Sequence, residues 1–521
     1  MGLLDSFGQG LAQLGSLSIL AACLLGVLVG TMAGLLPGLG SVGAMAVLLP
    51  YVFTLDPLPA LTILAGIVIG ANYGNSTSAI LLNIPGDPAA AVTAIDGNAM
   101  ARAGRPGPAL ATAAIASTFA SLLAIVGVAT LTEALAPVAL RFGNPEFFAL
   151  ALLGITIVSS LSVGSPLKGY ISAAIGLVLT LPGTDPATGV VRYTFGQVEL
   201  ISGLTLVPVA MGIFAIGEVL SSMESPHTSP IIGKLGRLMP TRVELRRSVP
   251  SMLRGSLLGF FVGILPGAGP APASFAAYGL EARVAKRRRL LGSGIPEGVA
   301  GPESANNAAA AGSFVPLLTL AIPGSAPTAL VLGALIVLGA RPGPLFMAQQ
   351  QDLFWGLIAA MVVATGMLLV LNLPLVPVWA SVLRLPYPLL TSLILVLTVT
   401  GVFSVRNTLF DVWVAVVLGA VGWILARRGF PLAPLILGFV LGKILEHSFR
   451  QSLMLSQGSF VTFVERPVSA VTLGAIALIM LWTSLAPLRR RLFRATAPST
   501  ADEHALDDEP PHQENPTDDR H

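Results

Sequence analysis

Apolar residues along this chain come in runs of about 20, separated by short polar or basic turns. Candidate membrane segments fall at 16–36, 42–55, 58–85, 109–135, 147–163, 169–182 and 203–220. A second set falls at 255–280, 299–340, 353–373, 388–405, 411–426, 430–445 and 468–487. Three of these, 58–85, 255–280 and 299–340, are interrupted by proline, glycine and small polar residues. The pattern predicts an all-α polytopic membrane protein with about 11–14 membrane segments.

Composition agrees. Only 11% of the 521 residues are charged, against about 25% in soluble domains. Hydrophobic residues make up 54%, and the mean hydropathy is +0.81. The net charge of +3 sits in a few basic loops, so the expected partner is a lipid bilayer and no nucleic acid. The single cysteine, Cys23, supports neither a disulfide nor a metal site. Residues 1–15 hold no Lys or Arg, unlike a typical secretory signal, and read as an interfacial segment. The polar, acidic stretch 495–521 reads as a disordered tail.

Charge placement then suggests orientation. Basic residues crowd the linker 221–254, the segment 281–290 and the flank 489–494, which should all face the cytoplasm. Residues 255–280 therefore start and end on one side, with Gly263-Ile-Leu-Pro-Gly-Ala-Gly269 at their middle. That is the pattern of a re-entrant hairpin, with two short crossings as the alternative. Gly34-Leu-Leu-Pro-Gly-Leu-Gly40 resembles it, but its flanks carry Asp5 and Asp56 and no base, which places them outside. Ile84-Pro-Gly86 answers Ile322-Pro-Gly324, and Arg105-Pro-Gly-Pro108 answers Arg341-Pro-Gly-Pro344. Three motif pairs in one order, about 230–240 residues apart, predict two inverted-topology repeats with re-entrant hairpins and broken helices. The repeats would span 16–220 and 255–490, with the N-terminus periplasmic and the C-terminus cytoplasmic.

Unpaired backbone at membrane depth is tolerated only where it is buried in protein or lines a polar cavity. Helix N-termini at such breaks favour anions, and helix C-termini favour cations. Candidate substrate- or ion-binding residues are therefore Gly38, Gly40, Ser41, Asn72, Asn75, Ser76, Thr77, Pro85 and Gly86 in the first half. In the second half they are Gly267, Gly269, Glu303, Asn306, Asn307, Pro323, Gly324 and Ser325. Small hydroxyl residues also serve helix packing, and for any one of them packing is the commoner role. Asn75, Asn306 and Asn307 lie beside the breaks, and Asn75 is set roughly opposite Asn306-Asn307 in the repeat. Glu303 is either an ion carrier within a span or an interfacial residue, since it follows the basic segment closely. No cofactor is expected beyond a coupling ion, Na+ or H+, and no catalytic or metal-ligating residue is assigned.

The motifs closely resemble the large membrane subunit of the tripartite tricarboxylate transporter family. The resemblance runs through Gly34–Ala46, Gly70–Ser76, Leu81–Gly86, Asp96-Gly97, Gly263–Gly269, Glu297–Ala309, Pro316–Gly324 and Arg341–Pro344. It covers about 16–490 and implies a periplasmic solute-binding protein, a small four-span membrane subunit and an organic carboxylate as substrate. It also implies that an ion gradient supplies the energy. Consistent with that, Gly438–Lys443 falls short of a nucleotide-binding loop, with three spacers and Ile444 where Ser or Thr is needed. Asp87 stands where the family usually has Glu. An intramembrane protease is disfavoured because no His-Glu-x-x-His is present. The alternative to a binding-protein-dependent permease is a stand-alone anion transporter or channel.

Overall fold

The computed structural model describes residues 3–36, 39–161, 165–185, 188–224, 236–375, 378–379, 381 and 387–495. The acidic tail from 496 onward lies outside the described residues, as do Pro37 and Gly38. The fold is helical. The first half runs through α1 (Leu3–Gln13), α2 (Leu17–Leu35), α3 (Gly40–Val52), α4 (Pro57–Leu82), α5 (Ala90–Arg102), α6 (Pro106–Ala139), α7 (Asn144–Ser160) and α8 (Pro166–Val178). A short antiparallel pair, Gly183–Thr184 with Val191–Arg192, precedes α9 (Leu206–Ala210), a π-turn (Met211–Ile216) and α10 (Gly217–Met223). The second half holds α11 (Arg242–Ile264), α12 (Pro270–Val284), α13 (Pro296–Gly312), α14 (Phe314–Leu320), α15 (Ala326–Val337), α16 (Phe346–Gln349) and α17 (Gln351–Asn372). It closes with α18 (Tyr387–Arg406), α19 (Leu409–Arg427), α20 (Leu432–Leu455), α21 (Thr462–Glu465) and α22 (Pro467–Ala495).

Seven of the described helices are long and apolar enough to cross a membrane: α2, α4, α6, α17, α19, α20 and the first part of α22. Most expected segments match a helix to within a few residues. The run at 58–85 is corrected, because α4 is continuous to Leu82 and the break follows it. The helix α5, in what reads as a polar loop, carries too little apolar length to stand out in the sequence.

Two intimate helix pairs form the centre, α2 with α4 and α11 with α13. Glycine is the cause. A Cβ added at Gly26, Gly30 or Gly34 would lie 2.5, 2.4 or 2.2 Å from the carbonyl oxygen of Ile63, Ile67 or Ala71. At Gly255, Gly259 or Gly263 it would lie 2.2, 2.3 or 2.3 Å from that of Gly301, Ala305 or Ala309. Each ridge recurs every four residues, so it lines one helix face and lets two backbones touch. Within each pair the two helices run in the same direction, since both contact numbers rise together. Every residue from Ala60 to Ile80 on α4 is buried, as are all 17 residues of α13. Around this centre pack α5, α6 and α17, while α7, α8, α20 and α22 form one flanking group. The π-turn, α18 and α19 form another.

The linker enters α11 through a reciprocal cap. Thr241 Oγ1 accepts from the Glu244 N–H at 3.2 Å, and Glu244 Oε2 accepts from the Thr241 N–H at 2.8 Å. Arg105, at the start of α6, pairs with the same carboxylate. Burial opposes ionisation of Glu244, yet the Thr241 and Arg105 hydrogen bonds outweigh it and hold the carboxyl below its usual range.

The glycine ridges make a direct prediction. Gly259→Val should force α11 off α13 and destabilise the protein by about 1–3 kcal/mol or more, read as a lower melting temperature in detergent. Gly279→Ala, on α12 with open space around it, should leave the melt unchanged or raise it.

Candidate functional site

Each half contains two chain breaks. In the first, α2 ends at Leu35 and α3 starts at Gly40, with Gly40 at a φ of 53°. In the second, α11 ends at Ile264 and α12 starts at Pro270, with Gly267 and Gly269 at φ of 79° and 67°. Those left-handed positions are why glycine recurs at the same place in both motifs. The other breaks follow a left-handed cap on a residue other than glycine: Asn83 after α4, at 58°, and Ala321 after α14, at 57°. The following Ile-Pro-Gly prevents helix restart, because proline lacks an N–H and disfavours helix before it.

The breaks pair within each half. Gly40 approaches the Gly86 carbonyl, and Gly269 approaches that of Gly324, each with a Cβ-to-oxygen separation of 4.0 or 3.9 Å. A Cβ on Gly86 would meet Asn75 Oδ1 at 2.4 Å and the Gly34 carbonyl at 2.8 Å. A Cβ on Gly324 would meet Ser313 Cβ at 2.7 Å and the Gly263 carbonyl at 3.1 Å. This packing sets Asn75 against Ser313 as counterparts. The expected correspondence of Asn75 with Asn306-Asn307 is therefore corrected by about two helical turns. Motif spacing alone misleads there, because Asn306 and Asn307 sit deep in α13 and well before its end.

Glu303 lies buried midway along α13. It is fully buried, and its carboxylate gathers donors from three other helices. Oε1 accepts from Ser76 Oγ on α4 at 2.9 Å, Ser117 Oγ on α6 at 3.2 Å and Asn307 Nδ2 on α13 at 3.2 Å. Oε2 accepts from Thr93 Oγ1 on α5 at 3.0 Å. Asn307 Nδ2 also reaches Ser117 Oγ at 2.9 Å and the Glu303 carbonyl at 3.0 Å. No ion-pair partner of Glu303 occurs among the described residues. Beside this network lies a small cavity with room for about one water, where Asn72 and Ser121 face Asn307 and Met361. Asn72 Nδ2 there has no hydrogen-bond partner among the described residues.

The remaining expected residues divide. Asn75 and Asn306 are buried, and the side-chain oxygen of each has no donor among the described residues. Thr77 turns back to the Tyr73 carbonyl at 3.0 Å, and Ser325 caps α15 reciprocally with Thr328. Ser41 is buried in the first turn of α3. Gly267 packs on α7, where a Cβ would meet the Gly154 carbonyl at 2.7 Å and the Val158 nitrogen at 2.9 Å. Pro323 and Gly324 are buried, whereas Pro85 is exposed and Gly86 half-buried, so only the first of these breaks is open. Gly38 lies outside the described residues. Thr93 and Ser117 escape the sequence reading, since one hydroxyl on each of two distant helices carries no local signal.

Four helices start just after breaks: α3, α5, α12 and α15. Each presents the positive end of its dipole to the break. At α5 the approach is closed by Asp87, whose Oδ1 accepts from the Ala89 N–H at 2.8 Å. Among the described residues, no side-chain cap hydrogen bond occupies the start of α3 or α12. Among the described residues, no group of three or more His, Cys, Asp or Glu is placed to hold a metal ion.

Comparison with known proteins gives this geometry a context. An uncharacterized 52.8 kDa protein in the TAR-I ttuC' 3' region of Agrobacterium vitis is 44% identical over 475 residues, covering 90% of this chain and 95% of its own. An uncharacterized protein in the TAR-II ttuC' 3' region of the same organism is 44% identical over 229 residues, covering 44% of this chain and 94% of its own. No solved structure matches. Residues 20–437 match the tripartite tricarboxylate transporter TctA family, a stretch that contains every break and the whole Glu303 network. With its seven apolar helices, the chain is a multi-pass membrane protein that belongs to the tripartite tricarboxylate transporter TctA family, as the large permease subunit.

Proposed function

We propose that this subunit forms the path for ion-gradient-driven, binding-protein-dependent uptake of organic carboxylates across the bacterial inner membrane. A periplasmic solute-binding protein delivers the anion, and a small four-span subunit accompanies the permease. The two halves act as inverted repeats, with the N-terminus periplasmic and the C-terminus cytoplasmic. The observation that carries this reading is the buried Glu303 network, which gathers α4, α5 and α6 onto α13 and adjoins the first-half break at Gly86 through Ser76 and its neighbour Asn75. The recurrent glycine ridges and the matched left-handed caps support the repeat. The uncapped first turn of α3, beside the exposed break at Pro85, suits a carboxylate, which accepts hydrogen bonds from helix-start N–H groups. Glu303 is the coupling-ion residue, and symport follows if it must load before the substrate path closes.

Reconstitution tests the reading. With its binding protein and small subunit in vesicles, the permease should accumulate carboxylate saturably, and collapse of the ion gradients should abolish accumulation. Uptake that persists unchanged would instead identify a passive channel. Two substitutions probe the site. Asn307→Ala removes one donor from Glu303 and from Ser117, and should weaken apparent affinity for ion or substrate by about tenfold. Gly86→Val should stop uptake while the protein remains in the membrane, because its side chain would strike Asn75 and the Gly34 carbonyl.

A further inference from the structure

The hydrogen-bond geometry around Glu303 discriminates between the two coupling ions, and this inference rests on the transport reading above. Oε1 faces three donors, of which Ser76 Oγ also lies 3.2 Å from the Asn72 carbonyl and shares its one hydrogen between the two. Asn307 must present its nitrogen there, since the same Nδ2 also serves the Glu303 carbonyl, an acceptor only. An N–H aimed at Oε1 opposes a metal cation beside that oxygen. Asn307 Nδ2 has two hydrogens for three acceptors, so the one not given to the Glu303 carbonyl is shared between Ser117 Oγ and Oε1, while Ser117 Oγ donates to Oε1. Oε2 differs, because its single partner is Thr93, whose hydroxyl can accept as well as donate.

Thr93 is free to reverse. On the neighbouring helices Thr77, Thr112 and Thr118 donate to the carbonyl four residues back. Thr93 does not, and its hydroxyl is committed only to Glu303. Rotation about its Cβ–Oγ bond would swing its hydrogen away from Oε2 and leave its oxygen facing that atom. We propose that the coupling ion is a proton carried on Glu303 Oε2, with Thr93 switching from donor to acceptor when it arrives. The proton comes from water on one side, forms an O–H bond at Oε2, and leaves to water on the other side.

No basic group competes for the carboxylate. The titratable groups on helices packed against α13 are Tyr73 on α4, Asp96 and Arg102 on α5, Glu133 on α6, Arg242, Glu244, Arg246, Arg247 and Arg254 on α11, and Tyr278, Glu281 and Arg283 on α12. Glu297 lies on α13 itself. Asp96 is held by the Tyr278 hydroxyl and the N–H groups of Gly292, Gly294 and Ile295. Glu281 pairs with Arg254, Glu297 with Arg287 and Glu244 with Arg105. Tyr73 is the titratable neighbour of Glu303, and its buried hydroxyl lies beside Thr77. A fully buried carboxylate without a cation is costly to keep ionised, and a proton removes that cost.

Thr93 lies one turn before Asp96 on α5, and Asp96 caps the start of α13 from outside that helix. The helix α5 thus touches α13 at both its start and its carboxylate, and it follows directly on the exposed break at Pro85. A change at Thr93 is therefore transmitted to the break by a single short helix.

The test uses vesicles containing the permease, its small subunit and its binding protein, with an internal pH-sensitive dye and no Na+. Carboxylate addition should acidify the interior, and Glu303→Gln should abolish that proton movement. Thr93→Val should displace the pH midpoint of uptake by about one unit, and Thr93→Ser should restore it. Infrared difference spectra of the wild-type protein between acid and alkaline pH should show a carboxylic-acid carbonyl band that Glu303→Gln lacks. Uptake that requires Na+ without proton movement overturns the proposal, as does proton movement that survives Glu303→Gln. The complete absence of carboxylate uptake by the wild-type assembly would overturn the transport reading itself.

Discussion

Glu303 can be buried only because four donors reach it from four helices. A carboxylate taken out of water loses far more than one hydrogen bond can return, so the protein must rebuild its hydration shell from side chains. Ser76, Thr93, Ser117 and Asn307 do this. Their positions fix where α4, α5, α6 and α13 must lie relative to one another. The network thus joins the two halves of the chain at one point.

The two helices at the centre of each half, α4 and α13, are also packed against a partner more closely than ordinary side chains permit. The glycine ridges of α2 and α11 allow this by placing carbonyl groups where Cβ atoms would otherwise be. Close contact leaves α4 and α13 buried almost throughout and clears space for short polar side chains between them. The ends of these helices then lie beside the breaks, where proline and left-handed caps keep the backbone from closing into continuous helix. Rigid ridges and irregular ends are complementary. The former hold α2 to α4 and α11 to α13 within each half, and the latter interrupt the helices at their ends.

The two halves are alike in packing and unlike in chemistry. Asn75 stands where Ser313 stands, the break at Pro85 is exposed where that at Pro323 is buried, and no carboxylate in the first half matches Glu303.

Much was legible in the sequence by itself. Apolar runs of membrane length determined the helices, because hydrocarbon forces every backbone group to pair within its own segment. Proline and glycine determined the breaks, because they act on local backbone geometry alone. The partners of Glu303 were decided only by tertiary structure. Thr93 and Ser117 are ordinary helix residues until packing carries them to a carboxylate some 200 residues away in the chain. The register of Asn75 was decided there too, since it depends on which glycine faces which carbonyl across two helices and not on the order of motifs.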